Sequence, residues 1–133
     1  MFVLHPRLEA DTIAITDWPL CRVLLMKDAN YPWLVLVPRR DGVNELTDLG
    51  PEHRAALMEE VTRASEGLRV HARPDRINVA ALGNMVPQLH VHVIARFTTD
   101  AAWPKPVWGA APSQPYTDEA LTNRLMELRD ILK

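Results

Sequence analysis

The sequence contains very little cysteine, and this scarcity limits the kinds of site that the chain can carry. Cys21 is the only cysteine among 133 residues. No disulfide can therefore form within the chain, and cysteine-rich zinc sites are excluded. Cys21 lies in an apolar stretch where a small buried residue fits, so we expect a core thiol there rather than a reactive nucleophile.

Long apolar runs and a surplus of one charge are also missing. No apolar run approaches the roughly 20 residues that cross a bilayer, and the first residues lack the basic, apolar and small-residue regions of a signal peptide. We therefore expect a cytoplasmic protein without a membrane partner. The formal net charge is −2, whereas nucleic-acid binding usually shows as a basic surplus. We expect no nucleic-acid partner, although a local pocket can still bind a small anion.

The residues that are present indicate one globular domain over residues 1–133. Hydrophobic residues make up 47% of the chain, which is typical of a folded core. Apolar alternation or short apolar runs predict five strands, over residues 11–16, 21–27, 33–38, 76–82 and 88–96. Residues 1–10 are interpreted as a loose lead-in, which packing could still order, and residues 98–116 as irregular.

Helical periodicity predicts one long helix from Pro51 to a point before Pro74, and a C-terminal helix that begins at Thr117. The apolar stripe of the long helix consists of Leu57, Val61, Ala64 and Leu68, and its charged residues are expected to point elsewhere, among them Glu59, Glu60 and Arg63. His53 and His71 near its ends are expected to be solvated or capping. The predicted fold class is α+β, with a mainly antiparallel five-stranded sheet.

The most informative stretch is Gln88–Arg96, where polar side chains alternate with aliphatic ones. This alternation predicts a strand in which Leu89, Val91 and Val93 point into the core. Gln88, His90 and His92 then lie in a row on the opposite face, roughly 6.5–7 Å apart. Since the helices are expected on one sheet face, the histidine row should lie on the face left for a ligand.

Two histidines at this spacing have three interpretations. They can be a pair without function, or two ligands of a zinc-like metal ion. The metal site needs a third ligand, which only a distant residue such as His5 or Asp28 could supply. The third interpretation, which we favour, is a nucleophilic histidine that accepts a phosphoryl or nucleotidyl group, with neighbouring donors for the phosphate oxygens. It requires no metal ligand among these residues.

The stretch Gln88-Leu89-His90-Val91-His92-Val93-Ile94-Ala95-Arg96 resembles the signature of the histidine triad superfamily, with glutamine in place of the first histidine. The order of strands and helices around it is also similar, over nearly the whole chain. The resemblance implies a HIT-like fold and a nucleotide-binding hydrolase or transferase that acts at an α-phosphate. It also implies a homodimer in which the two sheets join.

The resemblance further implies roles for three catalytic residues. His90 matches the nucleophile that becomes transiently nucleotidylated, and His92 matches the histidine that binds and neutralises the α-phosphate. Gln88 occupies the first triad position, where an amide keeps a donor and an acceptor but cannot titrate. We expect chemistry to survive this change, with an altered rate or leaving-group preference.

Five further residues are expected to bind the nucleotide on the same grounds. Asn78 matches a polar residue that contacts phosphate, and Gly83, Asn84 and Met85 lie where the phosphate-contacting loop of the family sits. Backbone N–H groups of such a glycine-containing turn suit an anion. Asp28 is expected to bind the ribose hydroxyls, with Asn30 as the alternative.

These expectations combine into one function with two alternatives. The favoured function is cleavage of an adenosine-containing substrate, either a dinucleoside polyphosphate or a nucleoside phosphoramidate, through a nucleotidyl-histidine. Magnesium is expected only with a polyphosphate substrate. The alternatives are a nucleotide-binding module with little turnover, and a metal-dependent enzyme with His90 and His92 as ligands. Trp103 and Trp108 are expected to pack rather than to line the substrate site.

Overall fold

The computed structural model describes residues 1–133 as an antiparallel sheet with three helices. The strands are β1 (Thr12–Asp17), β2 (Cys21–Met26), β3 (Trp33–Pro38), β4 (Arg76–Ala80) and β5 (Val91–Arg96). The helices are α1 (Pro6–Asp11), α2 (Pro51–Ala72) and α3 (Asp118–Ile131). All five strands form one sheet in the order β1-β2-β3-β5-β4. The predicted α+β class, with a long central helix and a C-terminal helix, is confirmed.

Strand β5 lies inside the sheet and is paired along both edges. His92 is opposite Val35 of β3 on one side and opposite Ala80 of β4 on the other. The antiparallel pairing on both edges fixes the register, because a slip of one residue would move every side chain to the other face. The side chains of β5 therefore project from a rigid support.

A different apolar cluster packs against each face of the sheet. Leu89, Val91 and Val93 face a core that also contains apolar residues of α2 and α3, as their alternation predicts. The opposite face, which carries the histidines, lies against a second apolar cluster. The buried members of this cluster are Leu8, Leu24, Tyr31, Trp33, Val35, Val37, Val86, Ile94, Ala102 and Val107.

The N-terminal residues form part of that second apolar cluster. The lead-in over residues 1–10 is ordered by packing, the alternative left open above, since α1 forms and buries Leu8 to 3% exposure. Pro6 is the first helical residue, a position that needs no backbone N–H. His5 caps the helix, because its Nδ1 accepts the backbone N–H of Arg7 at 3.1 Å. A helix of six residues is too short for apolar periodicity to reveal it.

Helix α2 has the bounds that its prolines predict. Pro51 is at its N-terminus, and Arg73 ends it in the left-handed conformation at φ 50°. The backbone N–H of Arg73 donates to the carbonyl of Arg69 at 3.0 Å, which closes the last turn. None of the three helices has both the length and the apolar composition that a membrane span requires.

Glu60 of α2 is buried, although its position predicts a charged outer face. It is 8% exposed, and its carboxylate accepts the backbone N–H groups of Leu20 at 2.9 Å and Cys21 at 2.8 Å. These two bonds connect α2 to the turn before β2. Cys21 is fully buried, as expected, and burial together with the Glu60 carboxylate raises the pKa of its thiol far above the usual range.

Replacing Glu60 by alanine is expected to lower the free energy of unfolding by about 2–4 kcal/mol, because two buried N–H groups lose a charged acceptor. Urea unfolding followed by circular dichroism measures this change. Glu59→Ala is the matched control, since Glu59 is exposed on the same helix and should change stability by about 0.5 kcal/mol or less. Equal losses in the two variants would contradict the assignment.

His71 connects α2 to α3, so the expectation of a solvated or capping histidine is wrong at this position. Its side chain is 8% exposed. Nε2 accepts the Nε–H of Arg124 at 3.2 Å, and Nδ1 lies 3.0 Å from Oε1 of Glu127. Arg124 is 53 residues away along the chain, so no local pattern in the sequence points to this contact.

Candidate active site

Two histidines lie side by side where β5 begins. His92 is the second residue of the strand, and His90 immediately precedes the strand. Their ring centroids are 5.0 Å apart, and the residues are only 7% and 4% exposed for His90 and His92 respectively. The strand starts at Val91 rather than at Gln88, so the predicted strand is three residues too long at this end.

A backbone carbonyl determines which nitrogen of His90 carries the proton. Nδ1 of His90 lies 2.7 Å from the carbonyl oxygen of Gln88. A carbonyl oxygen can only accept, so Nδ1 of His90 must be the donor. In the neutral ring, Nε2 then holds a lone pair. This is the nitrogen form that a nucleophilic histidine requires.

The protonation of His92 is the reverse of that of His90. The indole Nε1–H of Trp33 donates to Nδ1 of His92 at 3.0 Å. Because an indole can only donate, Nδ1 of His92 must accept and Nε2 carries the proton. Burial, together with the charge of His90, lowers the pKa of His92 to about 4. At neutral pH His92 is therefore an uncharged ring with an N–H donor on Nε2.

Aromatic rings enclose His92 on two sides. The centroid of Trp33 lies 5.6 Å from the centroid of His92, and that of Trp108 lies 5.0 Å away, both in edge-to-face geometry. Trp33 and Trp108 also contact each other, with centroids 5.8 Å apart. Trp108 therefore packs against a histidine of the candidate site. These contacts exclude water from His92, which is consistent with its lowered pKa.

Replacing Trp33 by phenylalanine is expected to release His92 from its single tautomer and to raise the pKa of His92, because the donor to Nδ1 is lost. Nitrogen NMR of the imidazole rings measures this directly. The native protein should show a proton on Nδ1 of His90 and on Nε2 of His92, and W33F should show a mixture at His92. Trp108→Phe is the control, since Trp108 contacts the same ring without that hydrogen bond. An unchanged His92 signal in W33F would refute the assignment.

The side chain of Gln88 makes both of its hydrogen bonds to the N-terminal residues. Its Oε1 accepts the backbone N–H of His5 at 2.8 Å. Its Nε2 donates to the carbonyl oxygen of Val3 at 2.9 Å. Gln88 thus adjoins the histidine pair through its backbone, while its amide is bound to residues 3–5. Its predicted catalytic role stays a prediction.

A cleft of about 640 Å³ opens beside His90. Gly83 lines it and has φ 75°, a conformation that favours glycine at this turn. Residues 44–48 form the opposite wall. Of the turn predicted to contact phosphate, the structure brings Gly83 into one cleft with His90. Asn84 and Met85 are exposed and do not line this cleft.

Asp28 lies at a second cleft, of about 320 Å³. It is 8% exposed, and its Oδ1 accepts the backbone N–H groups of Asn30 at 3.0 Å and Gln114 at 3.2 Å. Trp33 lines the same cleft and also contacts His92, so one side chain connects Asp28 with the histidine pair. The alternative residue, Asn30, donates instead to the carbonyl of Pro112 at 2.9 Å.

Asn78 is a diagonal neighbour of His92 in the sheet, but its side chain is bound to the buried Arg96. It is opposite Ile94 in the sheet, and its Oδ1 accepts from Nη1 of Arg96 at 2.7 Å. Arg96 is 2% exposed and forms an ion pair with Asp100 at 2.8 Å. The structure thus gives Asn78 a bond to Arg96, and its predicted phosphate contact stays a prediction. No group of three or more histidine, cysteine or acidic side chains is placed to hold a metal ion.

The contact between Trp33 and His92 is the functional feature that sequence reasoning missed. Trp33 is opposite Ile94 in the pairing of β3 with β5, and Val35 is opposite His92. Trp33 is therefore a diagonal neighbour of His92 on the same face, within reach of a large aromatic side chain. The contact therefore follows from the register in which β3 pairs with β5 and from the regular alternation of side chains between the two faces of β3.

A paired histidine site on an antiparallel sheet, with the two long helices on the opposite face, defines the class of protein to which this chain belongs. The family model described as HIT domain matches residues 7–99. The chain is a member of the HIT family, whose proteins are nucleotide-binding hydrolases or transferases.

Solved structures support this membership over the whole chain. A histidine triad protein from Bradyrhizobium japonicum is 50% identical with a TM-score of 0.96, covering 99% of this chain and 98% of its own. One from Marinobacter aquaeolei VT8 is 48% identical with a TM-score of 0.95, covering 99% and 96%. One from Sinorhizobium meliloti 1021 is 41% identical with a TM-score of 0.94, covering 98% and 97%. No curated protein matches significantly.

Proposed function

We propose that this protein cleaves an adenosine-containing substrate at its α-phosphate through a nucleotidyl-histidine intermediate. The substrate class is a dinucleoside polyphosphate, such as diadenosine tetraphosphate, or a nucleoside phosphoramidate. The observation that carries the proposal is the opposite protonation of two adjacent rings. His90 offers a lone pair on Nε2, and His92 offers an N–H donor on Nε2.

In the first step, Nε2 of His90 forms a bond to the α-phosphorus while the bond to the leaving group breaks, and the leaving group takes the electron pair. The ring of His90 then becomes positive, and the Gln88 carbonyl that accepts its Nδ1–H stabilises this charge. Nε2–H of His92 donates to a phosphate oxygen, where negative charge increases. Water then attacks phosphorus, and the P–N bond breaks with its electron pair returning to Nε2 of His90. The proton that water loses passes to the leaving group or to solvent, and a nucleoside monophosphate leaves.

We place the nucleoside half of the substrate in the cleft beside Asp28. Both hydrogen bonds of the Asp28 carboxylate go to Oδ1, so Oδ2 remains as an acceptor for a ribose hydroxyl. Trp33 lines this cleft and donates to His92, which would place the ribose near the phosphate site. The larger cleft beside His90 and Gly83 would then hold the leaving group.

The test is to follow AMP release from diadenosine tetraphosphate and from adenosine phosphoramidate, each with and without a chelator. We expect release from at least one substrate, and phosphoramidate turnover that the chelator leaves unchanged, because no step needs a metal ion. Loss of phosphoramidate turnover on chelation would favour the metal-dependent alternative. Tight AMP binding without AMP release would favour a binding module.

We also propose a homodimer in which the β4 strands of two copies meet. Strand β4 is the last strand of the sheet, so its outer edge is free to pair. Apolar side chains lie exposed beside that edge: Leu46 at 47%, Met58 at 64%, Val79 at 52% and Leu82 at 50%. Leu46, Met58 and Val79 line an apolar cleft of about 290 Å³ between α2 and β4. A second copy of the sheet would cover this surface.

Replacing Val79 by lysine is expected to shift the protein from dimer to monomer, because it places a charge in the apolar surface beside the pairing edge. Sedimentation velocity across a tenfold range of concentration measures the change. Val70→Lys is the control, since Val70 is 69% exposed on α2 but does not line the cleft. A native monomer, or a V79K variant that remains dimeric, would contradict the proposed interface.

A further inference from the structure

The amide of Gln88 forms a two-point contact with residues 1–5, which we call the N-terminal strap. It accepts from the N–H of His5 and donates to the carbonyl of Val3. These two backbone groups are two residues apart, as are the groups that a neighbouring strand would bond in a parallel ladder. The Gln88 side chain thus occupies the place of a peptide group in a sheet.

An imidazole at this position could not make the same contact. An amide presents its donor and its acceptor side by side on one carbon atom. The two nitrogens of an imidazole lie on different sides of the ring and point apart, so they can serve only one of the two backbone groups at a time. The glutamine therefore supplies a contact that the histidine of the usual signature would lose.

The strap lies beside the candidate active site. Phe2 and Leu4 pack against the apolar cluster that contains Trp33. The groove between the strap and residues 40–44 is lined by Gln88 and by Asn44, and Asn44 also lines the cleft beside His90. The terminal amino group of Met1 is paired with Asp41 across this groove. The strap and the His90 cleft therefore share a wall.

The same residue also controls the protonation of His90. The carbonyl of Gln88 accepts Nδ1–H of His90 at 2.7 Å, while its side chain holds the strap. Residue 88 lies outside β5, so the sheet ladder does not fix that carbonyl. The neighbouring Leu89 N–H is bound to the carbonyl of Val43 at 3.0 Å, and the strap supplies the support on the other side.

We propose that Gln88 is a positioning residue, which uses its amide to latch the N-terminal strap and thereby holds the carbonyl that orients His90. The latch itself is independent of the reaction, whereas its effect on turnover rests on the proposed function. Gln88, at the first triad position, thus acts on the nucleophile His90 through the strap. It makes no contact with the phosphate.

Amide hydrogen exchange at His5, resolved by NMR, tests the latch. In Gln88→Ala, which keeps the backbone carbonyl, exchange at His5 should be at least tenfold faster, and the Nδ1–H signal of His90 should broaden or shift. Gln114→Ala is the matched control, because Gln114 is the only other glutamine and is exposed. Unchanged exchange at His5 in Q88A would overturn the proposal.

A double-mutant cycle tests the effect on the reaction. His5→Pro removes the N–H that Gln88 accepts, at a residue whose φ of −55° suits proline, and His5→Ser keeps both that N–H and a capping side chain. Q88A and H5P should each lower kcat about tenfold, and the double variant no further, since both break one latch. H5S should differ from the native protein less than twofold.

Two kinetic outcomes would overturn the proposal. One is a double variant whose fold loss in kcat equals the product of the losses in the two single variants. The other is a kcat loss of more than a hundredfold in Q88A while amide exchange at His5 keeps its native rate. Either would show that Gln88 affects turnover independently of the strap. A native protein without turnover would instead refute the proposed function, and the His5 exchange and the His90 signal would still decide whether the latch exists.

Discussion

Replacing His90 by alanine is expected to lower turnover at least about 10⁴-fold, because the variant has no nitrogen to accept the nucleotidyl group. The neighbouring groups that stabilise phosphate charge would remain, but water would have to attack without the covalent intermediate. Nucleotide binding should change far less than turnover, since the other groups proposed to bind the nucleotide remain. AMP release and AMP binding by calorimetry measure the two quantities separately.

The control for this substitution is His53→Ala. His53 is a partly exposed histidine of α2 that does not line the cleft beside His90. Turnover by H53A should remain within about twofold of the native protein, as surface substitutions usually leave the structure intact. If H90A retained turnover within tenfold of the native protein, His90 could not be the nucleophile.

Replacing Asp100 by alanine is expected to lower the free energy of unfolding by about 3–5 kcal/mol, because it leaves the buried charge of Arg96 without an opposite charge. Both side chains of the pair are 3% exposed or less. The Asp100 carboxylate also accepts the backbone N–H groups of Phe97, Ala102 and Trp103. Among alanine substitutions of single acidic residues, D100A should cause the largest decrease in the free energy of unfolding.

Urea unfolding measures this loss, with Asp130→Ala as the control. Asp130 also pairs with a cation, Lys133 at 3.2 Å, but the two side chains are 77% and 78% exposed. Removing an exposed pair should change stability by about 1 kcal/mol or less. A D100A variant as stable as D130A would show that the buried network contributes little.

The same carboxylate predicts a pH dependence with a definite sign. Burial raises the pKa of Asp100, but the hydrogen bonds from Arg96 and from three backbone N–H groups outweigh it and lower the pKa to about 2. The unfolded chain binds this proton near the ordinary value of 3.8. Stability from Asp100 is therefore complete above pH 3.8 and is lost as the pH falls towards 2. Unfolding measured across this range should show a smaller loss in D100A than in the native protein.

His92 predicts a second loss of stability, in a higher pH range than that of Asp100. Its pKa is about 4 in the folded protein and 6.5 in its ordinary state. Because the unfolded chain takes up this proton first, stability should fall as the pH drops from 6.5 to 4. Replacing His92 by glutamine should flatten that part of the stability curve and leave the part between pH 3.8 and 2.

Local patterns predicted the sheet and the position of the histidine pair. The alternation at Leu89, Val91 and Val93 assigned the core face correctly, because one face of β5 is apolar throughout and the other carries the imidazoles. The prolines at 51 and 74 likewise bounded α2, since proline permits a helix start and prevents its continuation. Strand faces and helix ends could thus be predicted from the sequence where a residue type allows only one local geometry.

Contacts between distant segments could not be predicted in the same way. Glu60 is one carboxylate among several on α2, and its partners are backbone N–H groups, which no side-chain pattern reveals. The amide of Gln88 likewise binds backbone groups 83 and 85 residues away. Asn78 is a further example, because its bond to Arg96 depends on strand register and not on the identity of either residue alone.

The most direct measurement of the proposed mechanism is rapid acid-free quenching of the native protein during turnover, followed by peptide mass spectrometry. We expect a nucleotidyl adduct that maps to the peptide containing His90, forms faster than turnover and is absent from H90A. The adduct should also be lost on mild acid treatment, as a phosphorus–nitrogen bond is. Turnover with no adduct at any time, or an adduct on a residue other than His90, would contradict nucleophilic attack by His90.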